Sequence, residues 1–239
     1  MGTPFSWVGR RLQPLRDFLF PALCFSCNER LRDDEIRVCA ACWNSISRVL
    51  AEDDTYRILS ARFIVGGAID GFWSYCYFEH GGVFQKLAHA LKYEGITWCG
   101  EELGRRLASA LPDDLVVDAV IPIPLHSVRL RERGYNQSEC VCRGIQQRRP
   151  FTVMPSLLRR IKNTTTQTHL NAEERRSNIS AAFEITPKHM PFISGRSFLL
   201  VDDVITTGST LQEAAALLKR SGAVAVYASS AGLAQLDGA

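Results

Sequence analysis

Residues 198–210, FLLVDDVITTGST, constrain the fold more than any other part of the chain. The first four, 198–201, are apolar and predict a short buried strand. Two adjacent carboxylates, Asp202 and Asp203, follow at the carboxyl end of that strand. A loop of small residues comes next, and then an Ala- and Leu-rich helix over about 211–221. Strand, acidic pair, loop and helix in this order favour one unit of an α/β sheet.

Each part of this run suits one piece of a phosphorylated sugar. Backbone N–H groups and hydroxyls at a helix N-terminus form an anion site, and a glycine lets the backbone approach a phosphate closely. Carboxylates accept hydrogen bonds from vicinal ribose hydroxyls. The plain alternative is an ordinary strand, turn and helix with a solvated acidic turn. A P-loop is disfavoured, because no Gly-x-x-x-x-Gly-Lys sequence occurs. The candidate loop residues are Thr206, Thr207, Gly208, Ser209 and Thr210.

Two C-x2-C knuckles near the N-terminus predict a structural metal site. Four thiolates complete the tetrahedral shell that Zn2+ prefers and leave no open position for catalysis. A segment of about 30 residues cannot build an adequate core, so the ion would supply its folding energy. Redox pairing is the alternative for one such motif, but two together favour metal. The predicted ligands are Cys24, Cys27, Cys39 and Cys42.

Composition indicates which classes of protein the chain can belong to. The chain has 239 residues, is 46% apolar and carries a net charge of +3. A net charge of this size does not by itself indicate a nucleic-acid partner. No stretch of 18 apolar residues occurs, so no stable membrane insertion is expected, and the N-terminus lacks a secretory core. Residues 5–23 could form an amphipathic helix. Cysteines paired in knuckles, rather than spread as a disulfide framework, indicate a reducing cytoplasm.

Further along the chain, the apolar stretch 115–123 predicts a second buried parallel strand. It ends in a proline-flanked loop that should face the acidic pair, because ligands of a doubly wound sheet lie at the carboxyl ends of its strands. A helix is predicted from Arg129 to about Gln147, and another strand over 151–160. The polar composition of residues 53–62 predicts a linker. Residues 161–177 are polar and threonine-rich, and their first half predicts a mobile loop.

Seven motifs follow one another along the chain: the double C-x2-C, Leu91-Lys92-Tyr93-x-Gly95, Ile121-Pro-Ile-Pro-Leu-His126, Arg129-x-Arg131-x-Arg133-Gly-Tyr-Asn-Gln137, Thr166-Gln167-Thr168, Arg175-x-x-Asn178 and Val201-Asp-Asp-Val-Ile-Thr-Thr-Gly208. Together they resemble the ComF family of phosphoribosyltransferase-like proteins, which is linked to DNA uptake in competent bacteria. The resemblance covers about residues 20–235. It implies an α/β fold with a type I phosphoribosyltransferase-like doubly wound parallel sheet and a small N-terminal zinc module with four cysteine ligands. The implied domains are 1–52 and 63–239.

The resemblance also implies roles for these residues. Asp202 and Asp203 would hold the ribose hydroxyls of phosphoribosyl pyrophosphate (PRPP), and residues 206–210 its 5-phosphate. A pyrophosphate-binding group would comprise Pro124, Leu125, His126, Arg129, Arg131 and Arg133, although a solvated basic helix face is the alternative for the arginines. A flexible loop would contribute Lys162, Gln167 and Arg175. Mg2+ would bind together with PRPP, since it prefers carboxylate and phosphate oxygens.

Three functions follow from the sequence and the resemblance. The first is a transferase that moves ribose 5-phosphate from PRPP to an unknown acceptor. The second is a non-catalytic protein that keeps the PRPP-binding fold and handles single-stranded DNA with other competence proteins. The third is a PRPP-responsive regulator of a partner protein. The sequence does not choose an acceptor or an oligomeric state.

Overall fold

A computed structural model of the chain describes residues 21–65, 67–162 and 182–234. The chain divides into two compact units, Met1–Ser47 and Arg48–Ala239. Among the described residues, no helix is both long enough and apolar enough to cross a membrane.

The first unit contains little regular structure in its described part. Its helix α1 (Ala40–Asn44) is capped by Cys39, whose sulfur accepts a hydrogen bond from the Cys42 N–H. An antiparallel bridge joins Leu23 to Arg30, on either side of the first knuckle. The two knuckles are therefore tight turns held by backbone hydrogen bonds, as a site made of paired cysteines requires.

The second unit is an α/β structure, and the strands among its described residues form two sheets. In chain order its elements are α2 (Asp54–Ile64), β1 (Gly71–Phe78), α3 (Val83–Tyr93), α4 (Trp98–Leu107), β2 (Ala119–Pro122), α5 (Ser127–Arg133), α6 (Gln137–Gln146), β3 (Leu158–Arg160), β4 (Phe183–Ile185), a 3-10 helix (Pro187–Phe192), β5 (Ser197–Ile205), α7 (Ser209–Arg220) and β6 (Ala225–Ala234).

The main sheet is parallel and has the order β1-β6-β5-β2. A single parallel bridge between Val120 and Val153 extends it beyond β2. One face packs on a core that includes residues of α2, α7 and the small β3–β4 sheet, whereas α4 and α6 contact the strands from outside that core. Helices on both faces of a parallel sheet make the doubly wound architecture that the sequence predicted.

Three local predictions were wrong in their extent. The strand predicted over 151–160 is reduced to β3 and the single bridge at Val153. The helix predicted from Arg129 is two helices, because Gly134 (φ 82°) ends α5 in the left-handed region and Asn136 caps a new helix. The strand β5 continues through both aspartates to Ile205, since parallel pairing with β6 continues there.

The predicted linker over 53–62 was also wrong, because most of it belongs to α2. Its polar residues cover the exposed side, while Leu59 and Phe63, four positions apart, are each 1% exposed. The Phe63 ring meets the Phe72 ring edge to face at a centroid distance of 5.0 Å. This helix is therefore part of the main core, and the apolar pair that marks it was hidden by the polar composition around it.

Phe63→Ala should lower the free energy of unfolding by about 3–5 kcal/mol, because it removes a fully buried ring and leaves a cavity. Urea unfolding measures this. The matched control is Ile58→Ala on the same helix, where the side chain is 42% exposed and a change of at most about 1 kcal/mol is expected. Equal losses from the two variants would contradict the placement of α2 in the core.

Candidate functional site

The acidic pair and the proline-flanked loop lie at the same edge of the main sheet. Strands β5 and β2 are parallel neighbours, with Pro122 opposite Val201. The Ile123 N–H donates to the Val201 carbonyl at 2.9 Å. Residues 124–126 therefore leave the sheet beside the strand positions of Asp202 and Asp203. The sequence predicted this juxtaposition from strand direction alone.

Asp202 is held by a short hydrogen-bond network from the start of α6. The Ser138 hydroxyl donates to Asp202 Oδ1 at 2.9 Å, and the Asp203 N–H donates to the same oxygen at 2.9 Å. Asn136 is fixed in turn, because its Nδ2 donates to the Ile123 carbonyl and its Oδ1 accepts from the Ser138 N–H. The Asn136 and Ser138 side chains are almost fully buried. This segment positions the carboxylate rather than facing a ligand, a role that the sequence did not reveal.

Burial, followed by the neighbouring Asp203 carboxylate, raises the pKa of Asp202 to about 7. The hydrogen bonds from Ser138 and from the Asp203 N–H favour the charged form, but they do not outweigh those two effects. Asp202 therefore changes its protonation state near neutral pH. A carboxyl group of this kind can accept or donate a hydrogen bond to a sugar hydroxyl.

Lys92, at the end of α3, contacts the second carboxylate. Its Nζ lies 2.7 Å from Asp203 Oδ2, and the two side chains are 27% and 13% exposed. The contact is therefore a close ion pair on an oxygen that is itself out of solvent. Sequence reasoning quoted Lys92 within a motif but gave it no role at the site. The sequence signal that could have identified Lys92 as a site residue was its place in that motif. Nothing in the neighbouring residues linked it to Asp203.

The loop after β5 presents its hydroxyls to solvent. Thr206, Thr207 and Ser209 are exposed, and the Thr207 and Ser209 hydroxyls are 3.1 Å apart. Gly208 (φ 74°) precedes the twelve-residue helix α7 and offers no side-chain cap to its first N–H groups. A Cβ on Gly208 would lie 2.1 Å from the Phe63 ring. The loop is therefore supported from the core by Phe63 and open on its outer side, where an anion can approach.

A cleft of about 490 Å3 adjoins the acidic pair through Lys92. Two of the predicted arginines, Arg129 and Arg133, line it, whereas Arg131 does not. The Arg133 guanidinium lies 5.7 Å from the centre of the Tyr93 ring, which is itself 70% exposed. The residues lining this cleft are Lys92, Tyr93, Gly95, Arg129, Glu132, Arg133 and Tyr135.

The remaining predicted anion-binding residues divide into two groups. His126 caps α5, accepting a hydrogen bond from the Val128 N–H at 3.4 Å, so this ring nitrogen is engaged within the protein. Lys162 is the last residue described before a gap, and Gln167 and Arg175 fall outside the described residues. The flexible-loop assignments therefore remain predictions.

Arg160, on β3, is a cation near the site that sequence reasoning missed. Its backbone forms a parallel bridge with His126, and its guanidinium lies 5.6 Å from the centre of the Phe183 ring. Burial lowers the pKa of Arg160, and the nearby Asp202 opposes that shift. Arg160 thus adds positive charge on the side of Asp202, whereas Lys92 adds it beside Asp203.

The four knuckle cysteines of the first unit form one cluster. Their sulfurs all lie within 4.8 Å of one another, with 3.8 Å between Cys24 and Cys42 and 3.8 Å between Cys27 and Cys39. Four thiolates at about 2.3 Å from one ion would be about 3.8 Å apart at the corners of a tetrahedron. The cluster can therefore hold a metal ion, as the knuckle spacing predicted.

Backbone N–H groups stabilise the thiolate form of Cys24. Its burial raises the pKa, but the N–H groups of Cys39, Cys27 and Ser26 outweigh this and lower the pKa of Cys24 to about 6. The Cys39 N–H donates to the Cys24 sulfur at 3.3 Å. A thiolate prepared in this way is a metal ligand that need not first lose a proton at neutral pH.

Comparison with known proteins relates the chain to phosphoribosyltransferases. A family model described as "Phosphoribosyl transferase domain" matches residues 131–234, which include the acidic pair, the hydroxyl loop and α7. The allosteric regulatory enzyme of purine biosynthesis is a structural neighbour with a TM-score of 0.38 and 16% identity, over 55% of this chain and 25% of that one. At that score the likeness says nothing of the site.

Curated relatives carry names connected with competence or with DNA utilization. Competence protein F of Haemophilus influenzae is 34% identical over 144 residues, which is 57% of this chain and 62% of that protein. The DNA utilization protein YhgH of Salmonella typhi is 36% identical over 126 residues, 53% of this chain and 52% of that protein. The YhgH of Escherichia coli K12 is 38% identical over 109 residues, 46% of each. The chain thus spans about half to three fifths of the length of these relatives.

The raised pKa of Asp202 predicts a specific pH dependence of stability. In the unfolded chain this carboxyl ionises near pH 4, whereas in the folded chain it keeps its proton to about pH 7. The folded state therefore binds more protons between these values, and the contribution of Asp202 to the free energy of unfolding falls as the pH rises through this window. Asp202→Asn should become more stable relative to the parent between about pH 5 and about pH 8.

Urea unfolding at several pH values tests this. The matched control is Asp114→Asn, which changes an exposed carboxylate and should follow the parent at every pH. A constant difference between Asp202→Asn and the parent across the window would show that Asp202 ionises normally in the folded chain.

Proposed function

The chain belongs to the ComF family of phosphoribosyltransferase-like proteins, and from that premise we propose that it binds PRPP at the acidic pair. We further propose that it transfers ribose 5-phosphate to an acceptor. The observation that supports this most is the arrangement at one sheet edge. Two carboxylates are followed directly by a solvent-facing hydroxyl loop and the uncapped start of a helix.

Each group has a defined task in this proposal. Asp202 and Asp203 bond the two ribose hydroxyls, and the N–H groups at the start of α7 with the hydroxyls of residues 206–210 bond the 5-phosphate. The residues 124–126 and the arginines Arg129 and Arg133 face the pyrophosphate, whose several negative charges call for cationic partners. Arg131 does not line the cleft and has no task in this proposal.

The reaction would be a substitution at C1 of the ribose. The bond from C1 to the pyrophosphate oxygen breaks, the electron pair leaves with pyrophosphate, and a bond to the acceptor nucleophile forms. Charge on the leaving group is stabilised by the cations of the cleft, and the carboxylates stabilise the positive charge that develops on the ring. Mg2+, when bound with PRPP, would supply further neutralisation of the phosphates, and the acidic pair has the carboxylate oxygens that it prefers.

A second candidate is a role in handling single-stranded DNA, and the relatives named as competence and DNA utilization proteins support a connection with DNA. The exposed Tyr93 ring beside Arg133, in a cleft with Lys92 and Arg129, has the combination of aromatic face and positive charge that single strands bind. The acidic pair has no task in such binding, because ionised carboxylates only accept hydrogen bonds and offer a phosphate backbone no donor. This candidate becomes the favoured one if PRPP does not bind.

We propose that the four-cysteine cluster of the first unit binds Zn2+ and that the role of this ion is structural. Four sulfur ligands complete a tetrahedral shell and leave no position for a substrate or water, which excludes a catalytic role for the ion. The spacing of the sulfurs and the N–H groups directed at Cys24 support this assignment.

Calorimetry with PRPP and Mg2+ should detect binding that Asp202→Ala together with Asp203→Ala weakens by about a hundredfold or more, because several hydrogen bonds to the ribose are lost at once. Asp114→Ala serves as the control for loss of a surface charge. Pyrophosphate release across a panel of bases then tests for transfer. Absence of any PRPP heat with the parent chain would end the sugar-phosphate assignment, and heat without pyrophosphate release would leave a binding protein.

Metal analysis of the purified chain should return about one zinc per chain. Cys24→Ser and Cys42→Ser should each lower that content strongly, because three sulfurs hold the ion much less tightly. Cys142→Ala is the matched control, since this thiol is buried in α6 of the second unit and is not one of the clustered four. A metal-free chain whose knuckle cysteines form disulfides would contradict the structural-zinc assignment.

A further inference from the structure

Lys92 occupies a fixed position between the acidic pair and the cleft. It lies in the last turn of α3, next to the fully buried Leu91, whose carbonyl accepts a hydrogen bond from the Tyr135 hydroxyl. The backbone at this point is therefore anchored on one side by the core and on the other by the segment that follows α5. Any change of partner by the ammonium must therefore come from rotation of the side chain and not from movement of the helix.

The ammonium has two environments within reach. On one side Nζ contacts Asp203 Oδ2 at 2.7 Å, and on the other the Lys92 side chain lines the cleft with Arg129 and Arg133. Among the described residues, Lys92 is the one that both lines this cleft and contacts the acidic pair. Glu132 is the only carboxylate among the residues that line the cleft.

The charges at this edge pose a problem for any polyphosphate. Two adjacent carboxylates repel the phosphates of a sugar pyrophosphate unless a cation stands between them. A divalent metal ion bound with the ligand is one such cation. Lys92 already stands in that place: it is paired with Asp203, and it faces the side on which Arg129 and Arg133 lie.

We propose that Lys92 is a resident counter-ion of the ligand site, which moves from Asp203 to the pyrophosphate when PRPP binds. Its departure frees Asp203 Oδ2 for a ribose hydroxyl and delivers a positive charge to the leaving group. The consequence is that PRPP binding does not depend wholly on a divalent cation. This inference rests on the proposed PRPP site and adds to it a residue and a mode of binding.

The geometry of the pair supports exchange over a permanent structural role. Lys92 contacts Asp203 through one ammonium–carboxylate ion pair, between Nζ and Oδ2 at 2.7 Å. The Lys92 side chain is 27% exposed, so it is not enclosed beside Asp203 and can turn toward the cleft that it also lines. An ammonium on a flexible stem is also well suited to follow a charge from one partner to another.

The test is calorimetric titration of PRPP into four chains, each in excess Mg2+ and again in excess EDTA. The chains are the parent, Lys92→Met, Lys92→Arg and the matched control Lys86→Met, which removes an exposed lysine from the same helix. Thermal unfolding of each chain checks that the fold is kept.

We expect the parent and Lys86→Met to bind PRPP in EDTA with at most about a tenfold loss of affinity relative to Mg2+. Lys92→Met should lose about tenfold to a hundredfold in EDTA relative to the parent, which is the size of one charge-assisted hydrogen bond, and should lose much less in Mg2+. Lys92→Arg should bind in EDTA more tightly than Lys92→Met, because the charge is kept.

Two results would overturn the role of Lys92 alone. One is a parent chain that binds PRPP in Mg2+ and not at all in EDTA, and the other is a Lys92→Met chain that matches the parent in both buffers. A parent chain that binds PRPP in neither buffer would instead remove the PRPP site itself, and the counter-ion role with it. The parent titration in Mg2+ thus separates the two failures.

Discussion

Two carboxylates side by side near the end of a buried strand are the constraint on which the rest of the second unit depends. Burial disfavours charge at such a pair, and two like charges so close repel each other. The chain compensates with the Ser138 hydroxyl on Asp202 and the Lys92 ammonium on Asp203. Because these groups come from α6 and α3, both helices must be packed on the sheet before the pair is stabilised. The site is therefore a product of helix packing and not of the strand alone.

The loop after the pair depends on a second long-range contact. Gly208 has a positive φ, and a Cβ there would also collide with the Phe63 ring, so two independent conditions exclude a side chain. Gln212, in the first turn of α7, accepts a hydrogen bond from the Ala68 N–H and donates to the carbonyls of Arg62 and Phe63. The helix α2 thereby supports the start of α7 on the side away from solvent. Glycine at 208 serves this packing as well as the approach of a phosphate.

The features that could be predicted from the sequence are those formed by residues close together in the chain. Apolar runs placed β2 and β5, and parallel strand direction then brought residues 124–126 to the acidic pair. The knuckle spacing predicted the sulfur cluster for the same reason, since a tight turn is a local structure. Lys92, Ser138 and Phe63 could not be assigned, because each reaches the site from an element far away in sequence. The break at Gly134 was predictable in principle from its glycine and the Asn136 cap, but the charged residues before it suggested a continuous helix.

The two aspartates are adjacent in sequence but are treated differently by the fold. Asp202 receives two hydrogen bonds on one oxygen, and these lower its pKa. Burial and the Asp203 carboxylate outweigh them and raise the pKa of Asp202 to about 7. Asp203 has an ammonium at 2.7 Å. A pair with one proton and one counter-ion carries little net charge, although it contains two acids. Such a pair can approach an anionic sugar without repelling it, and it can then recover its charge as positive charge develops on the ring. Because the two aspartates have different environments, the same site can accept an anionic sugar phosphate and then stabilise positive charge on its ring.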